Sequence, residues 1–460
     1  MPKNNIRKAV VACMVMLTFA CRKDDQSFTY DKINNVTVES ASTAITVSAL
    51  DSLIITPKLI ESMPSGEEYT YRWTIGTATY PANKDLRIKV ELAPGSYSAV
   101  FKATSKKTGI SALARYAVTV NGAFYQGWYV VNNKAGKAQL SFIRADDVLF
   151  ENPAETVNKK TYSGKALSSY ATSSLNLIYF FTDQNAYRFN ANDLLELSDK
   201  QGTLPFASAP FTSVPYYGLS HSQGNFDQYI IADGGLYAGL GPGFFPAEVL
   251  KPFSDRFAGD YHLFPAVITP SLTSTFFYDN KYMRFMQVPY LGRDIGIAPA
   301  TTSASFNLAN VGRTMIAFDR GVTNEFYYIM QNSTGRYLMS TTALNPGINQ
   351  QISNSPDINI ASNFATSSVL KQMYYAAGNK IYLYDIIANS SRLIYTFPVD
   401  YVIKDIELLR STSKRLVVAA NKGTEGEVYY FDIDALGLFA NNTFVKRFEG
   451  FGDIVHVNFR

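Results

Sequence analysis

Five stretches of this chain share one grammar, in which an apolar strand runs into a short polar turn and a second strand resumes with tyrosine or phenylalanine. They are LNLIYFFTDQNAYRFNANDL (175–194), QYIIADGGLYAGL (228–240), STFFYDNKYMRF (274–285), KQMYYAAGNKIYLYDI (371–386) and KRLVVAANKGTEGEVYYFDI (414–433). The turn residues are those that tolerate positive φ, as a hairpin requires. Unit spacings near 40–50 residues match the length of a propeller blade. Residues 122–460 are therefore expected to form a β-propeller of about seven blades, with short and protected edges. Gly127–Asn132 and Ile454–Phe459 are expected to complete one blade from the two ends of the array.

The segment before it has a different texture. Between residues 31 and 121 short apolar runs alternate with turns every 8–12 residues, the spacing of a β-sandwich of roughly seven strands. EYTYRWTI (68–75) places Tyr69, Tyr71 and Trp73 on one face at period two. Expected strands precede it at 44–50 and 53–57 and follow it at 86–92, 97–104 and 114–120, with Pro94-Gly95 and Lys107-Thr108-Gly109 as turns. YRW, then Leu86 with Pro94, Gly95 and Tyr97, then ATSKKTG together resemble an immunoglobulin-type PKD-like domain. That resemblance implies that Trp73 is the buried tryptophan of a central strand. The fold class is thus all-β, a PKD/Ig-like sandwich at 31–121 followed by the propeller. With 31 Tyr, 31 Phe and only 2 Trp, the composition agrees with strand-rich structure.

The first thirty residues read as an address. Lys3, Arg7 and Lys8 precede an apolar run, Ala9 to Ala20, that is too short to span a bilayer and long enough for a signal peptide. Leu17-Thr18-Phe19-Ala20-Cys21 resembles a bacterial lipobox, which implies cleavage after residue 20 and acylation of Cys21, with 21–30 as a tether. Lys23, Asp24 and Asp25 resemble the Bacteroidetes export signal that carries lipoproteins to the outer face of the outer membrane. Cys13 leaves with the leader, so no internal disulfide forms. Taken whole, these features resemble the PKD-like lipoproteins of Bacteroidetes, accessory to SusC/SusD-type importers. The resemblance implies membrane contact through the lipid alone.

Motifs for chemistry are scarce. There are 3 His, and no HExxH, CxxC, G-x-S-x-G or Walker sequence occurs. A net charge of +4 without a basic stripe argues against nucleic acid. No metal or cofactor is expected. Asp146-Asp147 and Glu67-Glu68 are neighbours whose side chains diverge on a strand, so they read as solvated turns. His456, between Val455 and Val457, reads as packed or facing a neighbouring blade. Aromatic loops are the better candidates for ligand or partner contact: Tyr216, Tyr217 and His221 in VPYYGLSHS, Tyr261 and His262 in GDYHLF, and Phe244 and Phe245 in a Gly/Pro-rich insertion. The expected function is non-catalytic nutrient binding, of oligosaccharide or oligopeptide, or docking on a SusC/SusD-type complex. A propeller-borne hydrolase and an adhesin are the alternatives.

Overall fold

The computed structural model describes residues 33–460 apart from 64–65, 173, 198–205, 207–208, 221–226, 240–251, 271–273, 291, 304 and 323–324. The chain divides into two compact units between Val120 and Asn121.

In the first unit, Tyr69–Ile75, Gly95–Ser105 and Ser111–Asn121 form the centre of a five-stranded antiparallel sheet, flanked by Ala44–Ser48 and Ala78–Tyr80. Two strand pairs complete the unit, Val36–Glu39 with Lys58–Glu61 and Ser52–Ile55 with Leu86–Lys89. The nine strands among the described residues exceed the roughly seven expected, six of them with bounds read from the sequence. The additions at 36–39, 58–61 and 78–80 are three or four residues long, too short for alternation to separate them from turns. Trp73 is fully buried against Phe101 and Tyr116, with ring centroids at 4.8 and 5.7 Å, and its Nε1–H donates to the Asn83 and Lys84 carbonyls. After the Pro94-Gly95 turn, the Tyr97 hydroxyl donates back to the Ala93 carbonyl at 2.7 Å and pins the corner.

The second unit contains seven antiparallel sheets among its described residues. Six are consecutive in sequence and begin with Ala166–Thr172, Tyr216–Leu219, Ser274–Asp279, Thr314–Arg320, Asn363–Thr366 and Tyr401–Leu408. The remaining sheet joins the two ends of the unit: Gly127–Lys134 pairs on one side with Lys137–Arg144 and on the other with Asp453–Phe459, the last strand of the chain. We number this sheet first and the others second to seventh. All five hairpins of the sequence grammar form. Asp233 and Gly234 both adopt positive φ, 49° and 73°, as a tight hairpin demands. The one described α-helix, Pro153–Asn158, links the first sheet to the second.

Alternation along these strands buries both faces, and the core lies between sheets. One cluster joins the second and third sheets around Tyr179, Phe211 and Tyr217, and another joins the third and fourth around Tyr229 and Phe277. The seventh and first sheets meet through Val417, Tyr430, Trp128 and Ile454. Aromatic rings fill these seams because a twisted stack of sheets leaves wedge-shaped gaps that flat, bulky side chains occupy well. Tyrosine dominates over phenylalanine where a hydroxyl finds a carbonyl, as Tyr374 does at Gly437 (2.7 Å) and Tyr375 at Pro356 (2.7 Å).

Candidate functional site

A cavity of about 600 Å³ is lined by the first strands of the second, third, fifth and seventh sheets, by the final strand, and by the loop 264–269 ahead of the fourth. Its walls are aromatic and charged together. Tyr170, Tyr216, Phe264 and Phe318 supply ring surface, and Asp319, Arg320, Glu407 and Arg410 supply charge.

A recurrent local device brings the charges here. The first strands of the second, fifth and seventh sheets each carry a β-bulge, at Ala166/Ser168, Met315/Ala317 and Ile403/Asp405. A bulge adds one residue to one strand and so reverses which alternate positions face the core. In Tyr401–Leu408 the buried positions change from Ile403 before the bulge to Ile406 and Leu408 after it. Asp405 and Glu407 consequently fall on the opposite face from the apolar wall. Without the extra residue they would replace isoleucine and leucine in the seam between sheets.

Asp319 is held on both oxygens. Oδ1 accepts the Arg320 N–H at 2.7 Å and pairs with the Arg410 guanidinium, while Oδ2 accepts the Thr366 N–H at 2.6 Å. Its side chain keeps 22% of its surface and Arg410 keeps 45%, so both are reachable from the cavity. Burial raises the Asp319 pKa, against the opposing pull of Arg410. Glu407 is pushed well above its ordinary value by burial, reinforced by Asp405 and Asp319. Asp405, whose oxygens accept the Val457 and Ile406 N–H groups, is raised by burial to about 7. Arg320 lies over the Phe326 ring at 5.3 Å.

Beside these charges an aromatic run leads to His456. Tyr216 meets Tyr170 edge-on at 4.9 Å, and Tyr170 meets the His456 ring at 5.2 Å. His456 Nδ1 accepts the Ser169 N–H, and burial lowers its pKa to about 4, leaving a neutral imidazole that faces the neighbouring sheet. Burial likewise pushes the Tyr216 hydroxyl up to about 12.

Of the residues expected to contact a ligand, Tyr216 lines the cavity. Tyr217 borders it, but its side chain is 2% exposed, stacked on Tyr179 at 4.0 Å and bonded to Gln228. Tyr261 is equally inaccessible, its ring under Arg256 and its hydroxyl donating to the Phe257 carbonyl. These two tyrosines pack between sheets: Tyr217 follows Tyr216 on its strand and so points to the opposite face, and Tyr261 lies in the core between the third and fourth sheets. His262 is exposed and anchored through its backbone N–H to Asp279, away from the cavity lining. His221, Phe244, Phe245, Cys21, Lys23, Asp24 and Asp25 lie outside the described residues. The adjacent carboxylates are engaged locally: Asp146 pairs with Arg144, Asp147 with Lys446 and Glu68 with Lys106, and Glu67 accepts from the Ser105 and Tyr69 hydroxyls. Asp319, Arg320, Glu407 and Arg410 were missed, being about ninety residues apart in pairs. The available signal was IELL preceded by Asp405, acids at period two in a strand that is apolar apart from them and Lys404. Among the described residues no group of three or more His, Cys, Asp or Glu is arranged to hold a metal ion, and no helix is long and apolar enough to cross a membrane.

These sheets and their shared cavity define an all-β protein with a propeller-like second unit. The model of the PKD-like family matches residues 21–169, which takes in the first unit and the opening strands of the second. No curated protein matches. Among solved structures, the chain is similar to a quinoprotein alcohol dehydrogenase-like protein from Bacteroides thetaiotaomicron, with 14% identity, a TM-score of 0.50, and coverage of 91% of this chain and 96% of that one. It is also similar to a protein of unknown function from the same organism, at 12% identity and a TM-score of 0.34 over 85% and 96% of the two chains. A dihydro-heme d1 dehydrogenase matches at 8% identity and a TM-score of 0.41, over 78% and 72%. The first of these likenesses supports a shared fold and carries nothing about activity.

Proposed function

We propose that the seven sheets are the blades of one closed propeller and that the cavity at their first strands binds a nutrient, an oligosaccharide or oligopeptide, without turning it over. The chain would be acylated at Cys21 and displayed outside the outer membrane through Lys23, Asp24 and Asp25, there to pass its ligand to a SusC/SusD-type importer. The observation that carries this reading is the cavity itself. Its volume suits a ligand of a few rings, its rings offer stacking surface, and its few polar groups converge from five separate strands. Pairing of the first and last strands, and the apolar seam between the seventh and first sheets, support closure.

Calorimetry against a mixed panel of neutral and acidic oligosaccharides and short peptides tests it. Binding that falls at least about tenfold in Tyr216→Ala, with the panel ligand recovered intact, is the expected result. Unchanged affinity in that variant would move the site elsewhere. Turnover abolished by Glu407→Gln would replace the binding reading with a hydrolase.

A further inference from the structure

Resting on the reading of this cavity as the ligand site, we infer that it recognises a carboxylate on its ligand, which Arg320 and Arg410 grip from one wall. Two guanidinium groups belong to this wall, and the acid that lies with them, Asp319, is already engaged on both oxygens: Oδ1 takes the Arg320 backbone N–H and the Arg410 pair, and Oδ2 takes the Thr366 backbone N–H. Arg410 spends a second donor on the Arg320 carbonyl at 2.6 Å. Arg320 forms no ion pair of its own among the described residues; its guanidinium is laid over Phe326 instead. A ring face orients a guanidinium without satisfying its N–H donors, so the planar fork stays available to an incoming carboxylate.

The other acid on the lining is held back from ionising: burial and the acids Asp405 and Asp319 raise the Glu407 pKa. In its protonated form that carboxyl is an O–H donor, the polarity that a bound anion needs. The rest of the ligand would lie against Tyr170, Tyr216 and Phe264, whose ring surfaces suit a sugar face or a peptide side chain. A uronic acid and a peptide C-terminus both carry the required group.

Isothermal titration of the full chain with two matched pairs of probes decides the matter. One pair is tri-galacturonic acid and its methyl ester; the other is the tripeptide Ala-Tyr-Ala and its C-terminal amide. In at least one pair the free acid should bind about tenfold or more tightly than its neutral counterpart, and the pair that shows this identifies the source. Arg320→Gln should abolish the preference of the acid over its neutral counterpart, and Arg320→Lys should retain part of it. Melting temperatures within about 2 °C of the parent would establish that both variants fold. Equal binding of acid and neutral forms, an acid preference that survives Arg320→Gln, or no binding by all four probes would each overturn carboxylate recognition. Loss in Tyr216→Ala on the wider ligand panel reports separately on whether the cavity binds at all.

Discussion

Replacing Ile454 with alanine isolates what the final strand contributes to the second unit. Ile454 is fully buried among Trp128, Val130, Val417, Val428 and Phe448. Its backbone is bonded on both sides by the Asn421 amide, at 3.1 Å through the N–H and 3.0 Å through the carbonyl, and the substitution leaves those bonds in place. Only the side chain is lost, and isoleucine-to-alanine changes in cores cost about 2–5 kcal/mol, more where the surroundings cannot collapse. Here the neighbour across the gap is strand backbone at Gly426, close enough that a methyl group there would meet the Ile454 side chain at 2.4 Å. Paired strands move little, so we expect about 3–4 kcal/mol. With an m-value of about 3 kcal/mol per molar urea, the midpoint should fall by about 1 M. The chain's 2 tryptophans make the assay local, since Trp73 lies in the first unit and Trp128 in the second. In a Trp73→Phe background, urea titration by fluorescence therefore reads the second unit alone. Ile387, 81% exposed, supplies the control. A shift below about 0.3 M, or one equalled by Ile387→Ala, would refute the view that the last strand is integral to the unit's core.

Gly452→Val should lower the melting temperature of the second unit by several degrees, since any Cβ at Gly452 would stand 2.1 Å from the Asn133 carbonyl oxygen, which is itself backbone; calorimetry checks it. The pH dependence should carry two opposed terms. Asp405 titrates near 7 when folded against about 3.9 when unfolded, so its contribution is complete below pH 4 and is lost as pH rises through 7; Asp405→Asn should flatten the fall in stability between pH 4 and 7 by about 1–3 kcal/mol, measured by urea titration. His456, lowered from 6.5 to about 4, contributes fully above pH 6.5 and loses that contribution as pH falls to 4, a slope that His456→Gln should remove. Cys21→Ala should leave the protein in the soluble fraction after cell lysis, because the acyl chains would supply its membrane affinity; an alanine variant that still sediments with outer membrane would sink the lipobox.

How much of this was legible depended on whether the signal was local. The hairpin at Gln228–Gly239 announces itself through Asp233-Gly234, and Trp73 through the alternation around it, because turn chemistry and period two act over a few residues. The hairpin at Glu325–Thr342 was absent from the grammar, though its rings at Tyr327, Tyr328 and Tyr337 fit it; its turn reads Ser-Thr-Gly, a weaker cue. The candidate site was legible only at Tyr216. Its charges come from strands whose alternation is broken by bulges, so a strict period-two reading places Asp405 and Glu407 on the face of Ile403. Tyr217 has another cause: it follows Tyr216 on a strand, points to the other face and stacks on Tyr179, while Tyr170 lines the cavity from a different strand.

Pairing of Gly127–Lys134 with Asp453–Phe459 also bears on how the protein reaches its native state. Partners such as Tyr129 and Asn458 are separated by most of the chain, whereas the hairpin partners Ala232 and Gly235 are joined by a two-residue turn. Entropy of closure grows as (3/2)RT ln n, so this pairing is opposed by about 3 kcal/mol more than a ten-residue hairpin. The last strand cannot take its place until it has been synthesised and, if exported, translocated. Until then the exposed edge of Gly127–Lys134, with Trp128, Val130 and Val131 on it, is open to other strands. Folding should therefore be slow at its final step, and the unclosed chain should be the species that aggregates.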